Sequence, residues 1–187
     1  YHVISREGYL APLVHTEVDH FAPARFGDTL LVRARLHRDP GARIVFTDDA
    51  AAWGQNDYWA SPLETLEKGQ GDCEDYAISK YFSLLALGMP ASRLRLVYVR
   101  LQAGALGEGQ AHMVLAYYPQ PGAEPLILDN LVTSVRPASR RPDLTPVFSF
   151  NSEGLWQGVG TQSAGDPQAR LSRWREVLAK ARAEGFL

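Results

Sequence analysis

The sequence predicts a mixed fold in which helices and antiparallel strands occupy separate stretches of the chain. Three observations lead to this prediction. Residues 1–47 contain stretches in which apolar and polar side chains alternate, as they do along strands. Two later segments carry capping signals at both of their ends, as helices do. Three further strand-like segments follow, and a short turn sequence joins the last two.

Residues 1–47 are predicted to form a three-strand antiparallel meander. "TLLVRARLH" (Thr29 to His37) alternates regularly, "LVHTEVDHF" (Leu13 to Phe21) alternates more weakly, and "RIVFT" is a short third strand. The segment contains no helix that could cover the apolar face of this meander. We therefore expect the meander to dock on another surface or to form a dimer.

A first helix is predicted in "SPLETLEKG". Ser61 is suited to be the N-cap, Pro62 occupies the first helical position, and Glu64 completes a capping box. Gly69 then ends the helix.

A second helix is predicted in "GDCEDYAISKYFSLLALGMP", where Asp72 is the N-cap and Cys73 lies in the first turn. Gly88 ends the helix. The segments "LRLVYVRL", "AHMVLAYY", "PLILD" and "PVFSF" are predicted strands. A final amphipathic helix is predicted to start near Asp166 and to bury four side chains, namely Leu171, Trp174, Leu178 and Ala181.

The composition excludes several classes of function. The 187 residues carry a net charge of −2, and the pI is about 6.2, so nothing indicates binding to nucleic acid. No apolar run approaches the roughly 18 residues of a membrane span. The single cysteine excludes an internal disulfide.

That single cysteine, Cys73, has three acidic neighbours, Asp72, Glu74 and Asp75. The N-terminus of a helix carries partial positive charge, which favours a thiolate and therefore a nucleophile. The three carboxylates oppose this effect because negative charge raises the pKa of a thiol. The arrangement is suited to catalysis only if a bound cation or the helix dipole neutralises the acids.

His112 and Asp129 are the candidate partners of this thiol. If the hairpin between them is centred between Gln120 and Pro121, residues whose numbers sum to 241 face each other, as 112 and 129 do. The three residues would then form a Cys-His-Asp triad. The spacing alone leaves two alternatives open: a zinc site, or a structural cysteine, histidine and turn aspartate without catalytic roles.

From residue 48 to residue 187 the chain resembles the bacterial transglutaminase-like cysteine proteinases. The resemblance is carried by "WGQNDYWASPLETL", "GDCEDYAISKYFSLLALGMP", "RLRLVYVRL", "QAHMVLAYYP", "LILDNL" and "ASRRPDLTPVFSFN". It implies an α+β papain-like fold, with the nucleophile helix packed on an antiparallel sheet. It also implies a cysteine endopeptidase with the triad Cys73, His112 and Asp129.

The resemblance implies a calcium ion beside the nucleophile, with Asp72 and Glu74 as ligands and Asp75 as a further candidate. Carbonyl groups or water would complete the shell of six to eight oxygens that calcium takes. The substrate implied is the N-terminal region of a large biofilm adhesin, cleaved at a di-alanine site in the periplasm. An inner-membrane cyclic-di-GMP receptor is implied as the regulator.

Residues 1–47 differ from this family and resemble part of a hotdog-fold acyl-CoA thioesterase in "EVDHFAPARFGDTLLVRARL". Thioesterase activity is not expected because the catalytic acid and the central helix of that fold are lacking. Two alternatives to a protease stay open. One is a transglutaminase or amidase of the same superfamily, and the other is a catalytically impaired binding module.

Overall fold

A computed structural model of the protein describes residues 44–102 and 109–187. The helices are α1 (Asp49–Trp53), α2 (Pro62–Lys68), α3 (Cys73–Ala86), α4 (Pro167–Arg170) and α5 (Ser172–Ala183). The strands are β1 (Val45–Phe46), β2 (Gln70–Gly71), β3 (Leu94–Leu101), β4 (Gln110–Tyr117), β5 (Leu126–Leu128), β6 (Arg136–Pro137), β7 (Leu144–Phe150), β8 (Leu155–Gln157) and β9 (Ser163–Gly165). No helix within these ranges has the length and apolar character needed to cross a membrane.

The centre of the fold is a seven-stranded antiparallel sheet in the order β6-β5-β4-β3-β7-β8-β9. The long strands β3 and β4 pair along their whole lengths, from Leu94 opposite Tyr117 to Leu101 opposite Gln110. The predicted strands "LRLVYVRL", "AHMVLAYY", "PLILD" and "PVFSF" are therefore confirmed. Short strands β8 and β9, which were not predicted, extend the sheet beyond β7.

The two predicted capped helices are both present. α2 begins at Pro62 after the N-cap Ser61, and a complete capping box joins Ser61 and Glu64. α3 begins at Cys73, and the carboxylate of its N-cap Asp72 accepts hydrogen bonds from the backbone N–H groups of Glu74 and Asp75. This cap fixes the position of Cys73 at the first residue of the helix.

The hydrophobic core lies between the sheet and helices α3 and α5. Its largest fully buried side chains come from both helices and from the facing strands, and they include Trp174, Tyr81, Phe82, Phe150 and Leu96. A smaller cluster, formed by Val97, Val99, Val114, Ala116 and Ile127, lies on the opposite face of β3, β4 and β5. Both faces of the central strands, including the strand that carries His112, are therefore buried.

The predicted C-terminal helix is two helices rather than one. α4 is capped by Asp166, and the chain then leaves helical geometry at Leu171, where φ is −115° and ψ is 91°. In this extended conformation the Leu171 side chain packs against the core, and α5 begins at the next residue, Ser172. Trp174, Leu178 and Ala181 are buried as predicted, and Leu171 is half-buried.

Most of the predicted N-terminal meander lies outside the described residues, including the strands Leu13 to Phe21 and Thr29 to His37. The described part of "RIVFT" is β1, which pairs in parallel with β2, directly before the N-cap of α3. The backbone N–H groups of Val45 and Thr47 donate to the carbonyl oxygens of Gly69 and Gly71. The division of the chain into residues 1–47 and 48–187 stays a prediction.

Candidate active site

His112 and Asp129 form a buried pair where β5 ends beside β4. His112 lies on β4, Asp129 directly follows β5, and the distance from His112 Nε2 to Asp129 Oδ1 is 2.8 Å. Both residues are less than a tenth exposed. Burial alone would raise the pKa of Asp129, but hydrogen bonds from His112, Leu131 and Arg141 outweigh it and hold that pKa far below its usual range. Asp129 is therefore an anion at neutral pH.

The hairpin register that predicted this pair differs from the observed one. Leu115 lies opposite Leu128, so facing residue numbers sum to 243 rather than 241. The turn is centred one residue later because Gly122 takes a φ of 76°, a left-handed conformation that suits glycine. A shift of two leaves each side chain on the same face, so His112 and Asp129 meet as diagonal neighbours.

Cys73 lies at the first position of α3, where its thiol contacts a carboxylate. Its Sγ is 2.7 Å from Glu74 Oε2, and no hydrogen bond between described residues joins it to His112. Burial, followed by the charges of Glu74 and Asp72, raises the pKa of the thiol, while the backbone N–H of Met113 acts in the opposite direction. The structure thus places the thiol beside the strand of His112, in surroundings that favour the thiol over the thiolate.

Four carboxylates surround the start of α3. Oxygens of Asp49, Asp72 and Asp75 lie within 4.8 Å of one another, and ligand atoms of Asp72, Cys73 and Glu74 form a second group of the same size. Burial, together with the charges of Glu74, Asp75 and Asp49, raises the pKa of Asp72 to about 9. The carboxylates of this cluster repel one another, and a bound cation would reduce that repulsion.

Asp49 is a member of this cluster that was not predicted from the sequence. It is the first residue of α1 and is 7% exposed, and its Oδ2 accepts a hydrogen bond from the backbone N–H of Tyr58. Its Oδ1 is buried, and no donor in the described part of the chain reaches it. Asp48, the N-cap of α1, is the local signal that could have revealed this helix.

Asp75, the third predicted metal ligand, already has partners for both of its oxygens. Oδ1 accepts a hydrogen bond from the backbone N–H of Ala60, and Oδ2 accepts one from Trp53 Nε1. Burial is the main cause that raises the pKa of Asp75 to about 6. Asp75 therefore ties the segment between α1 and α2 to the start of α3, and its oxygens are less available to a cation than those of Asp49, Asp72 and Glu74.

The acidic cluster opens into a cleft of about 500 Å³. Its walls contain carboxylates, two aromatic rings and one cation, from residues that include Asp49, Asp57, Trp59, Asp72, Glu74, Tyr98, Ala111 and Arg173. Within residues 44–102 and 109–187, the buried Asp49 Oδ1 has no donor, and the neighbouring oxygens of Asp72 and Glu74 make no ion pair. This arrangement fits a hard divalent cation such as calcium.

Residues 34–158 match the protein family described as bacterial transglutaminase-like cysteine proteinase BTLCP. Among solved structures, LapG of Legionella pneumophila is 44% identical, with a TM-score of 0.61 over 73% of this chain and 70% of that chain. The EGTA-treated form of LapG has a TM-score of 0.63 at 44% identity, over 73% and 71% of the two chains. The calcium-bound form has a TM-score of 0.61 at 42% identity, over 74% and 73%. No curated protein matches the chain.

Proposed function

Because the chain belongs to the bacterial transglutaminase-like cysteine proteinases, we propose that it is a calcium-dependent endopeptidase with Cys73 as the nucleophile. The family makes it a cysteine protease of α+β fold, in agreement with helix α3 packed on an antiparallel sheet. The observation that carries the assignment of the site is the buried hydrogen bond between His112 and Asp129, next to the helix that begins at Cys73.

In the proposed mechanism, His112 takes the thiol proton through Nδ1, because its Nε2 is held by Asp129. The thiolate attacks the scissile carbonyl carbon and forms a thioester as the amine leaves with a proton from His112. Water then hydrolyses the thioester with His112 as the base. The backbone N–H of Cys73, at the start of α3, supports the oxyanion together with one unassigned donor.

Asp72 and Glu74, joined by Asp49, are the residues that we propose to hold calcium. When bound, calcium would supply two positive charges beside the nucleophile and favour the thiolate over the thiol. The Glu74 oxygen that accepts the hydrogen bond from the thiol is also a candidate ligand. Its use as a ligand would leave the thiol available to His112. Backbone carbonyls or water would complete the shell.

We extend the proposal to the substrate, the cellular compartment and the regulator. The substrate would be the N-terminal region of a large biofilm adhesin, cut at a di-alanine site in the periplasm. An inner-membrane cyclic-di-GMP receptor would sequester the enzyme. The identity of 44% to Legionella pneumophila LapG supports this extension. Residues 1–47 would form an additional β segment, joined to the protease domain through β1, that contributes to docking or to dimerisation.

The first test is an assay on an adhesin N-terminal fragment that contains a di-alanine sequence, with Cys73→Ser as the matched control. We expect the parent protein to release two fragments in calcium, and neither EGTA-treated parent nor Cys73→Ser to do so. A fragment with the two alanines replaced by aspartates should stay intact. New isopeptide links instead of fragments would indicate a transglutaminase. Binding without cleavage in all conditions would indicate a binding module.

A further inference from the structure

We propose that Arg141 is a positioning residue that holds the Asp129 carboxylate in the orientation His112 requires. This inference rests on the proposed function, because it assigns a role in the same catalytic site. Arg141 is 4% exposed, and its Nη2 lies 2.8 Å from Asp129 Oδ2. The other oxygen, Oδ1, accepts hydrogen bonds from His112 Nε2 at 2.8 Å and from the backbone N–H of Leu131 at 3.1 Å.

The carboxylate of Asp129 is therefore fixed at both oxygens. A carboxylate held at a single oxygen can rotate and present either oxygen, or neither, to its partner. With Oδ2 held by a guanidinium and Oδ1 shared by two N–H groups, only one orientation satisfies all the donors. That orientation directs Nδ1 of His112 away from Asp129, so it is the nitrogen left to react.

Arg141 is itself held in place by Asp143 and by its backbone. Its Nε and Nη2 bind the Asp143 carboxylate as a fork, at 3.0 Å and 2.7 Å. The backbone N–H of Arg141 donates to Ala138, and its carbonyl accepts from Leu144, the first residue of β7. The guanidinium therefore approaches Asp129 from a fixed position, as a residue that positions another must.

Lysine could replace Arg141 only in part. A guanidinium is planar and presents several N–H donors in a rigid fork, whereas an ammonium group is a point charge on a flexible chain. The half-buried Lys80, whose ammonium group also interacts with Asp129, shows how a lysine differs from Arg141 at this site. Its charge and that of Asp129 interact, but no hydrogen bond between described residues joins the two side chains. Among the described residues, Arg141 is the side chain that bridges the carboxylates of Asp129 and Asp143.

The test compares Arg141→Met, Arg141→Lys and Asp143→Asn with the exposed neighbour Arg140→Met as the matched control. We expect kcat to fall about 100-fold in Arg141→Met and about 10-fold in Arg141→Lys, with KM nearly unchanged, because misplacing a catalytic group affects the transition state. Asp143→Asn should have a smaller effect than either, and Arg140→Met should behave as the parent. A purely structural role would lower the melting temperature and leave kcat of the folded protein intact.

A second readout does not depend on peptidase activity. The His112 Nε2–H, bound to a buried carboxylate, should give a downfield proton resonance that is absent from His112→Ala. We expect Arg141→Met to lose this signal, Arg141→Lys to weaken it and Arg140→Met to keep it. If Arg141→Met does not fold, Arg141→Lys decides the outcome. Unchanged kcat and an unchanged signal in these Arg141 variants would overturn the proposal. If the parent has no activity but the signal depends on Arg141, the proposed function fails and the positioning role stands.

Discussion

Replacing His112 by alanine should lower kcat/KM for peptide hydrolysis by about 10⁴-fold or more. Cys73 is half-buried, and this partial burial, followed by the charges of Glu74 and Asp72, raises the pKa of its thiol, so the thiol needs a base to become a nucleophile. The imidazole bound to Asp129 is the base that we propose. The measurement is steady-state cleavage of a fluorogenic peptide that contains a di-alanine sequence, in saturating calcium.

The matched control for this variant is Gln110→Ala, an exposed residue on the same strand β4. It should retain the parental activity. His112→Ala should stay folded because Arg141 and Leu131 still bind the Asp129 carboxylate, and thermal unfolding checks this. A folded His112→Ala protein with activity within about tenfold of the parent would exclude His112 as the general base.

Replacing Asp72 by asparagine should abolish the stabilisation that calcium gives to the protein. Calcium that binds only the folded state should add about 2.7 kcal/mol to the free energy of unfolding when its concentration is about 100 times Kd. Asparagine remains a good N-cap, so α3 keeps its start while the cluster loses one anionic oxygen ligand. Thermal unfolding with and without calcium measures the difference.

The Asp72→Asn variant should be more stable than the parent protein when calcium is removed. In the folded protein the pKa of Asp72 is raised to about 9 from 3.8, so the folded state binds more protons than the unfolded state between these values. Stability of the metal-free parent should therefore fall as pH rises from about 4 to about 9. Asparagine has no carboxyl group to ionise, so the Asp72→Asn protein should not lose stability in this way as the pH rises. Glu176→Gln, an exposed change on α5, should alter neither the calcium effect nor the pH profile.

A calcium shift of equal size in Asp72→Asn and in the parent would contradict the assignment of Asp72 as a ligand. Asp49→Asn provides an independent check, because its buried Oδ1 has no donor among the residues described. We expect Asp49→Asn to weaken the calcium effect as well. A full calcium effect in Asp49→Asn would remove Asp49 from the proposed shell and leave Asp72 and Glu74.

The helices and long strands could be predicted from the sequence because their signals are local. The capping box of Ser61 and Glu64 and the N-cap Asp72 each act within one turn, so a short window of sequence contains the whole interaction. The alternation along β3 and β4 is equally local. The prediction of one continuous helix from Asp166 was wrong. Leu171 packs against the core in an extended conformation, and we infer that this packing outweighs its propensity for helix.

The candidate site could be predicted only in part, since its contacts join distant segments. His112 and Asp129 were expected to meet, and they do, although the turn at Gly122 shifts the register by two. Asp49 and Arg141 gave no comparable signal. Asp49 gains its role from the nearby Asp72, and Arg141 gains its role from Asp129. These residues come from distant segments that approach each other only when the chain folds.

The central claim is that Cys73 is a nucleophile activated by His112, and its alkylation rate tests that claim most directly. Cys73 is the only cysteine, so iodoacetamide labels a single site. At pH 6.5 a free thiol, with a pKa of about 8.5, is almost fully protonated and reacts slowly. We predict that the parent in calcium reacts at least about tenfold faster than His112→Ala, and that EGTA removes the difference. Equal and slow rates in both proteins, with and without calcium, would contradict the account.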